Sequence, residues 1–279
     1  MKNINQLREI AKTLRIDVLE SVYAAKSGHI GGSFSAADIL AVLYFYKMRI
    51  DPHNPDMDDR DRFVLSKGHA APVLYSALAH RGFFDLSELG LLRNIKSHLQ
   101  GAPCTKTPGV DMSAGPLGQG ISAAVGMALG GRYLKKKYKT YCMLGDGEIQ
   151  EGQVWEALMS AAAFSLGNLV LILDHNKVQM CGTVDEIMPI GDPCKKIEAF
   201  GWKVKRINGH DISSIINAFD SIDDDPFAAP TAIIADTIKG KGVSFMEGLS
   251  KWHGAVPNEN EYKIALQELR GEWDESKPL

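Results

Sequence analysis

One segment, MLGDGEIQEGQVWEALMSAAAFSLGNLVLILDHNKVQ, limits the folds open to this chain more than any other. It reads as strand, turn, helix, turn, strand. Thr140 to Leu144 and Leu169 to Leu173 are short apolar runs, and Gly152 to Phe164 between them has helical spacing. Two strands joined by such a crossover are parallel, close together and connected with a right-handed sense. Their C-terminal ends lie on one edge of the sheet, where α/β proteins bind ligands. Asp146 follows the first strand and Asn176 the second, so the fold brings them together. Gly145 and Gly147 flank the aspartate and let backbone approach a bulky anion. Carboxylate, amide and carbonyl oxygens suit Mg²⁺ or Ca²⁺, with phosphate oxygens completing the shell. The start of the following helix adds its dipole to an anion site. The residues therefore read as a metal-bridged diphosphate site. The bland alternative is a Gly-Asp-Gly turn and an Asn turn after two core strands.

The flanking sequence continues the α/β pattern. A first helix is expected from about Ile4 to Ala25, with Leu7, Ile10, Ala11, Leu14, Val18 and Val22 near one face. Ser35, three residues before Asp38, resembles a capping box that opens an apolar helix ending near Met48. DRFVLS reads as a strand and KGHAAPVLYSALAHRG as a helix. Ile121 to Lys135, Lys195 to Phe200 and Ile212 to Phe219 read as helices, and Lys203 to Ile207 and Thr231 to Asp236 as strands. The fold class is α/β, a mostly parallel sheet with helices on both faces. Residues 1–279 read as a single domain with a polar helix or tail over 259–279.

Composition narrows the function classes. The 31 Lys and Arg against 34 Asp and Glu give a net charge of −3, without an electrostatic pull toward nucleic acid or anionic membrane. The polar N-terminus MKNINQLREIAKTLR is no secretory signal, and no apolar run spans a bilayer. Cys104, Cys142, Cys181 and Cys194 form no C-x-x-C pair and no zinc spacing, which fits a reducing cytoplasm. Cys181 reads as a small loop residue, Trp155 as core or interface, and the KKKY run from Lys135 as a solvated helix end.

GDG followed by this Asn resembles the thiamine diphosphate signature, and the surrounding motifs narrow it. SGHIGGS, SKGHA, TPGVDMSAGPLGQGIS, GDGEIQEGQVWEA and KGKGVSFMEGLSKWHG occur in the order found in transketolases. The resemblance runs from about residue 6 to residue 257 and covers only the diphosphate-binding (PP-type) domain, as in split transketolases with separate N- and C-terminal subunits. It implies a thiamine diphosphate enzyme that moves a two-carbon ketol unit from a ketose donor, such as a sugar phosphate, to an aldose acceptor. It further implies Asp146, Asn176 and the Val178 carbonyl as metal ligands, for Mg²⁺ or Ca²⁺. Gly147, with Gly115, Pro116 and Leu117 of the GPLGQG loop, would contact the cofactor. His69 would lie near the diphosphate and the reacting centre, His253 near the diphosphate and substrate oxygens, and His29 would face the substrate. Glu151 and Glu156 match acids that join cofactor sites across a subunit interface in that family. Histidines titrating near neutrality would move protons and stabilise alkoxides. The glutamate that serves the aminopyrimidine belongs to the absent pyrimidine-binding domain. The lone chain is therefore expected to be inert, and an α₂β₂ heterotetramer with a C-terminal subunit is expected.

Two positions depart from the pattern. Many transketolases have Gly-His-Pro where this chain has Gly101-Ala102-Pro103, and alanine cannot hydrogen-bond a donor hydroxyl. His98 is close in sequence but has no assigned place. Met180-Cys181-Gly182 stands where split relatives tend to have Asp before the Gly. The Ala102 change favours a modified sugar phosphate or sulfonate over an ordinary pentose-phosphate substrate. The competing classes are a 2-oxo acid dehydrogenase component or deoxyxylulose-phosphate-type synthase, and a non-catalytic regulatory remnant. The SGH, SKGH and GPLGQG set favours transketolase over the dehydrogenase, and the intact Asp146, Asn176 and three histidines argue against the remnant.

Overall fold

The computed structural model describes residues 3–272. Its helices and strands, in chain order, are α1 (Ile4–Ala25), α2 (Gly31–Val42), β1 (Arg62–Leu65), α3 (Ala71–Arg81), α4 (Gln119–Tyr133), β2 (Thr140–Gly145), α5 (Gly152–Ala163), β3 (Leu169–His175), α6 (Val184–Ile187), α7 (Pro193–Ala199), β4 (Lys203–Asn208), α8 (Ile212–Asp220), β5 (Thr231–Asp236) and α9 (Glu259–Arg270). The five strands form one sheet in the order β1-β2-β3-β5-β4, and every pair is parallel.

Alternate residues of each strand face opposite layers; in β1, β2, β3 and β5 most are apolar and buried because both faces are covered, whereas the edge strand β4, KVKRIN, is largely polar and exposed. Phe63, Leu65, Tyr141, Met143, Val170, Ile172, Ile233 and Ala235 share a core with α1, α2, α3 and α8. Val64, Cys142, Leu144, Leu171, Leu173, Ala232 and Ile234 share the other with α4, α5 and α7. The chain runs β1, β2, β3 across the sheet, skips one place to β4, then returns to β5. Right-handed crossovers then put α8 on the face opposite α5 and α7.

Local chemistry fixes the ends. Asn3 and Gln6 form a capping box that starts α1, and Lys26 closes it at φ 52°. The α2 expectation is corrected. The helix begins at Gly31, four residues before Ser35, and continues as a π-helical turn over Leu43–Lys47. Ser35 and Asp38 are buried inside it and cap nothing: Ser35 Oγ donates to Asp174, and Asp38 binds Arg15 and His210. Gly31 is there for space. A Cβ on Gly31 would lie 2.8 Å from the Trp252 carbonyl oxygen and 2.9 Å from Lys239 Cγ. The polar C-terminal segment is an amphipathic helix, α9, whose Ile264, Ala265 and Leu269 are buried and whose Tyr262 stacks on Tyr23 of α1 at 4.1 Å. Residues 273–279 of that expected segment lie outside the described residues. Among the described residues no helix is long and apolar enough to cross a membrane, and the four cysteines are free.

Candidate active site

Four parallel strands point their C-terminal ends at one cavity of about 280 Å³. Just past its last residue, β1 delivers Lys67 and His69. β2 delivers Asp146 and Gly147, β3 delivers Asn176 and Val178, and β5 delivers Lys239. The loop before α4 contributes Leu117, and the turn before α5 contributes Glu148 and Glu151. Close approach of loops requires small residues: a Cβ on Gly68 would lie 3.1 Å from the Gly115 nitrogen, and one on Gly120 would lie 2.5 Å from Ser66 Oγ.

At the floor sits Asp174, fully buried. Lys67 Nζ and Thr237 Oγ1 donate to it in short contacts, Ser35 Oγ donates at 2.6 Å and Asn176 Nδ2 at 3.2 Å. Burial alone would raise this carboxyl. The Lys67 charge and these hydrogen bonds outweigh burial and hold it below the ordinary range. Lys67 also donates to the Gly32 carbonyl at 2.8 Å. Glu148 is a second tie: it accepts from Ser66 Oγ, from Gly118 N at 2.9 Å and from Gly145 N at 3.0 Å. It thereby joins the ends of β1 and β2 to the loop before α4, and burial pushes its carboxyl up.

Asp146 is 2% exposed and accepts only from backbone, from Gly147 N at 2.8 Å and in a short contact from Lys177 N. Burial and then the Asp174 charge push its carboxyl up to about 6. Asn176 accepts from Val178 N at 3.1 Å. Lys239, 2% exposed, donates to the Val178 carbonyl at 2.8 Å and contacts His253 Nδ1 at 3.0 Å. Among the described residues no carboxylate pairs with Lys239. Burial and the Lys67 charge push its ammonium down to about 8.

His29, His69 and His253 form a triangle with ring centroids 4.9–5.4 Å apart. His29 touches the other two from outside the cavity lining, and its buried Nδ1 has no partner. The expectation of near-neutral titration is corrected. Burial, then the neighbouring cations, push His69 down to about 2 and His253 down to about 3, and His29 is lowered for the same reasons. All three are neutral imidazoles at neutral pH. They offer one N–H and one acceptor each, not a stored proton.

The remaining expected residues divide. Leu117, Gly147 and Glu151 line the cavity, Gly115 packs against Gly68, and Pro116 is exposed beside it. Glu156 is exposed on α5, away from the lining. Tyr75 Oη donates to the carbonyls of Gln100 at 2.9 Å and Ala102 at 3.0 Å, so that hydroxyl holds the loop by its backbone carbonyls. His98 turns to Glu88 at 2.9 Å and does not replace the missing imidazole. Cys181 is exposed, and Trp155 is half-buried with Nε1 donating to the Ile149 carbonyl. Sequence reasoning missed Lys67, Glu148, Asp174 and Lys239. Lys67 and Lys239 stand inside SKGHA and KGKG, Glu148 follows GDG directly, and Asp174 precedes Asn176 by two. Their membership of the motifs was the available signal.

The residues present fit a metal–diphosphate group. Asp146, the Asn176 amide oxygen and the Val178 carbonyl are an oxygen set for a hard cation, and among the described residues the buried carboxylate has no cationic partner. Lys239 is a buried ammonium with no anionic partner among the described residues, and the Lys67 charge beside it favours one. Among the described residues no group of three or more His, Cys, Asp or Glu side chains could hold a metal, which accords with this mixed set.

Comparison with known proteins agrees with this chemistry. The model of the family described as "Transketolase, thiamine diphosphate binding domain" matches residues 6–278. The chain is 43% identical over 252 residues to one of the subunits of the apulose-4-phosphate transketolase of Phocaeicola vulgatus, covering 90% of this chain and 89% of that one. It is 42% identical over 270 residues to a 6-deoxy-6-sulfo-D-fructose transketolase subunit of a Clostridium species, covering 95% and 97%. The crystal structure of transketolase from Campylobacter jejuni superposes with a TM-score of 0.89 at 36% identity, covering 96% of this chain but 43% of that one. The chain therefore spans nearly all of the subunit-sized relatives and less than half of the full-length enzyme.

Proposed function

The chain belongs to the transketolase family as its thiamine diphosphate-binding part, and from that premise we propose that it is the N-terminal subunit of a two-chain transketolase. A separate C-terminal subunit would bring the pyrimidine-binding domain, in an α₂β₂ assembly working in the cytoplasm. Residues 1–279 act in this reading as one diphosphate-binding domain. The observation that carries the proposal is the pair of unmatched charges in one cavity. Among the described residues Asp146 lacks a cationic partner and Lys239 lacks an anionic one.

Asp146, Asn176 and the Val178 carbonyl would hold Mg²⁺ or Ca²⁺, and Lys239 would take a diphosphate oxygen, with His69 and His253 beside it. Bound thiamine diphosphate supplies the nucleophilic carbon that takes up the two-carbon unit. The chain's own residues bind, orient and hydrogen-bond. Because the Lys239 ammonium donates to His253 Nδ1, the His253 proton sits on Nε2, free to donate to a substrate oxygen. His29 has its Nδ1 buried behind His69 and His253, and would face the substrate with the exposed part of its half-buried ring. Neutral imidazoles can pass a proton by taking one on one nitrogen and releasing it from the other. Glu151 and Glu156 would sit at the contact with a second copy.

For substrate, we read a non-standard ketose. The support is Ala102, together with two subunit-sized relatives named for apulose 4-phosphate and a sulfosugar. Native mass spectrometry of the tagged chain, drawn from its own cells with thiamine diphosphate and Mg²⁺, tests the assembly. The expected result is a complex containing a second chain and cofactor, with ketol transfer confined to that complex. Activity in the highly purified lone chain would overturn the reading. Ala102→His in the assembled enzyme is expected to shift donor preference, and unchanged preference would remove Ala102 from the donor pocket.

A further inference from the structure

Several hydrogen bonds set the path of the loop that carries Lys239, and three of them flank that residue closely. Gly240 N donates to the Gly31 carbonyl at 3.0 Å, Gly248 N donates to the Lys239 carbonyl at 2.8 Å, and Ile238 N donates to Nε2 of His210 at 2.8 Å. The first two join backbone to backbone. The third is a side chain, reaching from the turn between β4 and α8 to the residue just before Lys239.

An imidazole nitrogen that accepts a hydrogen bond bears no hydrogen, so the His210 proton is on Nδ1. That nitrogen faces Asp38 Oδ2 at 2.8 Å and donates to it. Asp38 is buried in α2 and is gripped by Arg15 of α1 at 2.5 Å, and Arg15 also donates to the Phe34 carbonyl at 3.0 Å. Burial would raise the Asp38 carboxyl, but the Arg15 charge and the His210 hydrogen bond outweigh burial and lower it. Asp38 is therefore an ionised acceptor, and it keeps the His210 proton on the nitrogen away from Ile238. A continuous relay runs from Arg15 through Asp38 and His210 to the backbone beside Lys239. None of the first three lines the cavity.

We propose that His210 is a positioning residue: locked in one tautomer by Asp38, it holds the Ile238 amide and so aims Lys239 at the diphosphate end of the cavity. The proposal rests on Lys239 being a diphosphate contact, as proposed above.

A double-mutant cycle tests it in the chain assembled with its partner, read as the dissociation constant for thiamine diphosphate with Mg²⁺. Removing a charged hydrogen-bond donor, Lys239→Met, is expected to weaken binding about a hundredfold. Loss of one neutral anchor, His210→Ala, is expected to cost about tenfold. The double variant is expected to bind as Lys239→Met does, because His210 acts through Lys239. His210→Asn keeps a donor toward Asp38 but no longer reaches Ile238. It should behave like His210→Ala, and it carries the cycle if the alanine variant does not fold. His210→Gln presents an oxygen to Ile238 and is expected to recover most of the affinity. Unchanged affinity in the alanine and asparagine variants, with only a lowered melting temperature, would overturn the proposal and leave Lys239 untouched. So would a double variant with fully additive losses. If Lys239→Met binds as tightly as the parent, the diphosphate contact itself fails and the role of His210 falls with it.

Discussion

Asp174 and Asp146 stand at the ends of adjacent strands, both buried, and the molecule treats them in opposite ways. Asp174 has a lysine, two hydroxyls and an amide donating to it, and its carboxyl lies below the ordinary range. Asp146 has two backbone amides and a neighbouring negative charge, and its carboxyl is pushed up to about 6. The lysines divide in the same way. Lys67 has its carboxylate, and Lys239 has a carbonyl and an imidazole. One pair is closed and ties the ends of β1, β3 and β5 to α2. The other is left open on both sides, which suits a group bearing a cation at one end and an anion at the other. Buried charge is tolerable as structure only when it is matched within the chain; left unmatched, it marks a site.

The largest effect should come from breaking the closed pair. Asp174→Asn leaves the Lys67 ammonium buried and uncompensated, and should cost about 4 kcal/mol of stability. Urea unfolding of the cofactor-free chain measures this, and an unchanged midpoint would erase the distinction between the two acids.

Breaking the open pair should go the other way. Because the folded pKa of Asp146 is raised above its ordinary 3.8, the ionised carboxylate destabilises the folded chain. That penalty is complete above about pH 6 and is relieved as pH falls toward 4. Asp146→Asn should therefore stabilise the cofactor-free chain by about 2 kcal/mol at pH 7, after allowing for one weakened hydrogen bond, and by almost nothing near pH 4. The same variant should lose the rise in melting temperature that Mg²⁺ and thiamine diphosphate give the parent, worth about 2.7 kcal/mol at a hundredfold excess over the dissociation constant. A variant destabilised at pH 7 would place Asp146 with Asp174.

The smallest change is expected at the histidines. In the cofactor-free chain the imidazole resonances of His69 and His253 should stay flat from pH 8 to 5, since their pKa values lie at about 2 and 3. The unfolded chain takes up those protons near the ordinary value of 6.5, so the stability contribution of each is complete above that pH and is lost as pH falls below it. Titration near 6.5 in the folded chain would mean that neither burial nor the two lysines act on the cluster.

The frame is legible in the sequence because it rests on local signals. Thr231–Asp236 and Ile4–Ala25 have the limits expected from apolar periodicity, and most other strands and helices differ by a residue or two at their ends, but α3 begins at Ala71, four residues after the expected Lys67. The start of α2 is not legible, because nothing local reveals that Trp252 and Lys239 press on Gly31. The motifs lead to Asp146 and Asn176, and to three histidines whose rings meet. What stays hidden is pairing over distance. Lys67 and Asp174 are 107 residues apart, and Ser66 and Glu148 are 82 apart. No periodicity marks a charge whose partner comes from another strand. The charge state of the histidines is hidden for the same reason, since burial and two ammonium groups set it.

The strand order has a consequence for biosynthesis. β5 emerges last yet lies between β3 and β4, paired to β3 from Val170–Thr231 to His175–Asp236. Until residue 231 and its successors leave the ribosome, the apolar LVLIL run of β3 has an open edge able to pair with another chain. Over the same interval the nascent protein lacks Thr237, Lys239 and His253. It thus has neither the hydroxyl that completes the shell of Asp174 nor the ammonium that awaits the diphosphate. Capacity for the cofactor and relief from aggregation therefore arrive together, once the segment from Thr231 to His253 has been made, and a product truncated before it forfeits both at once.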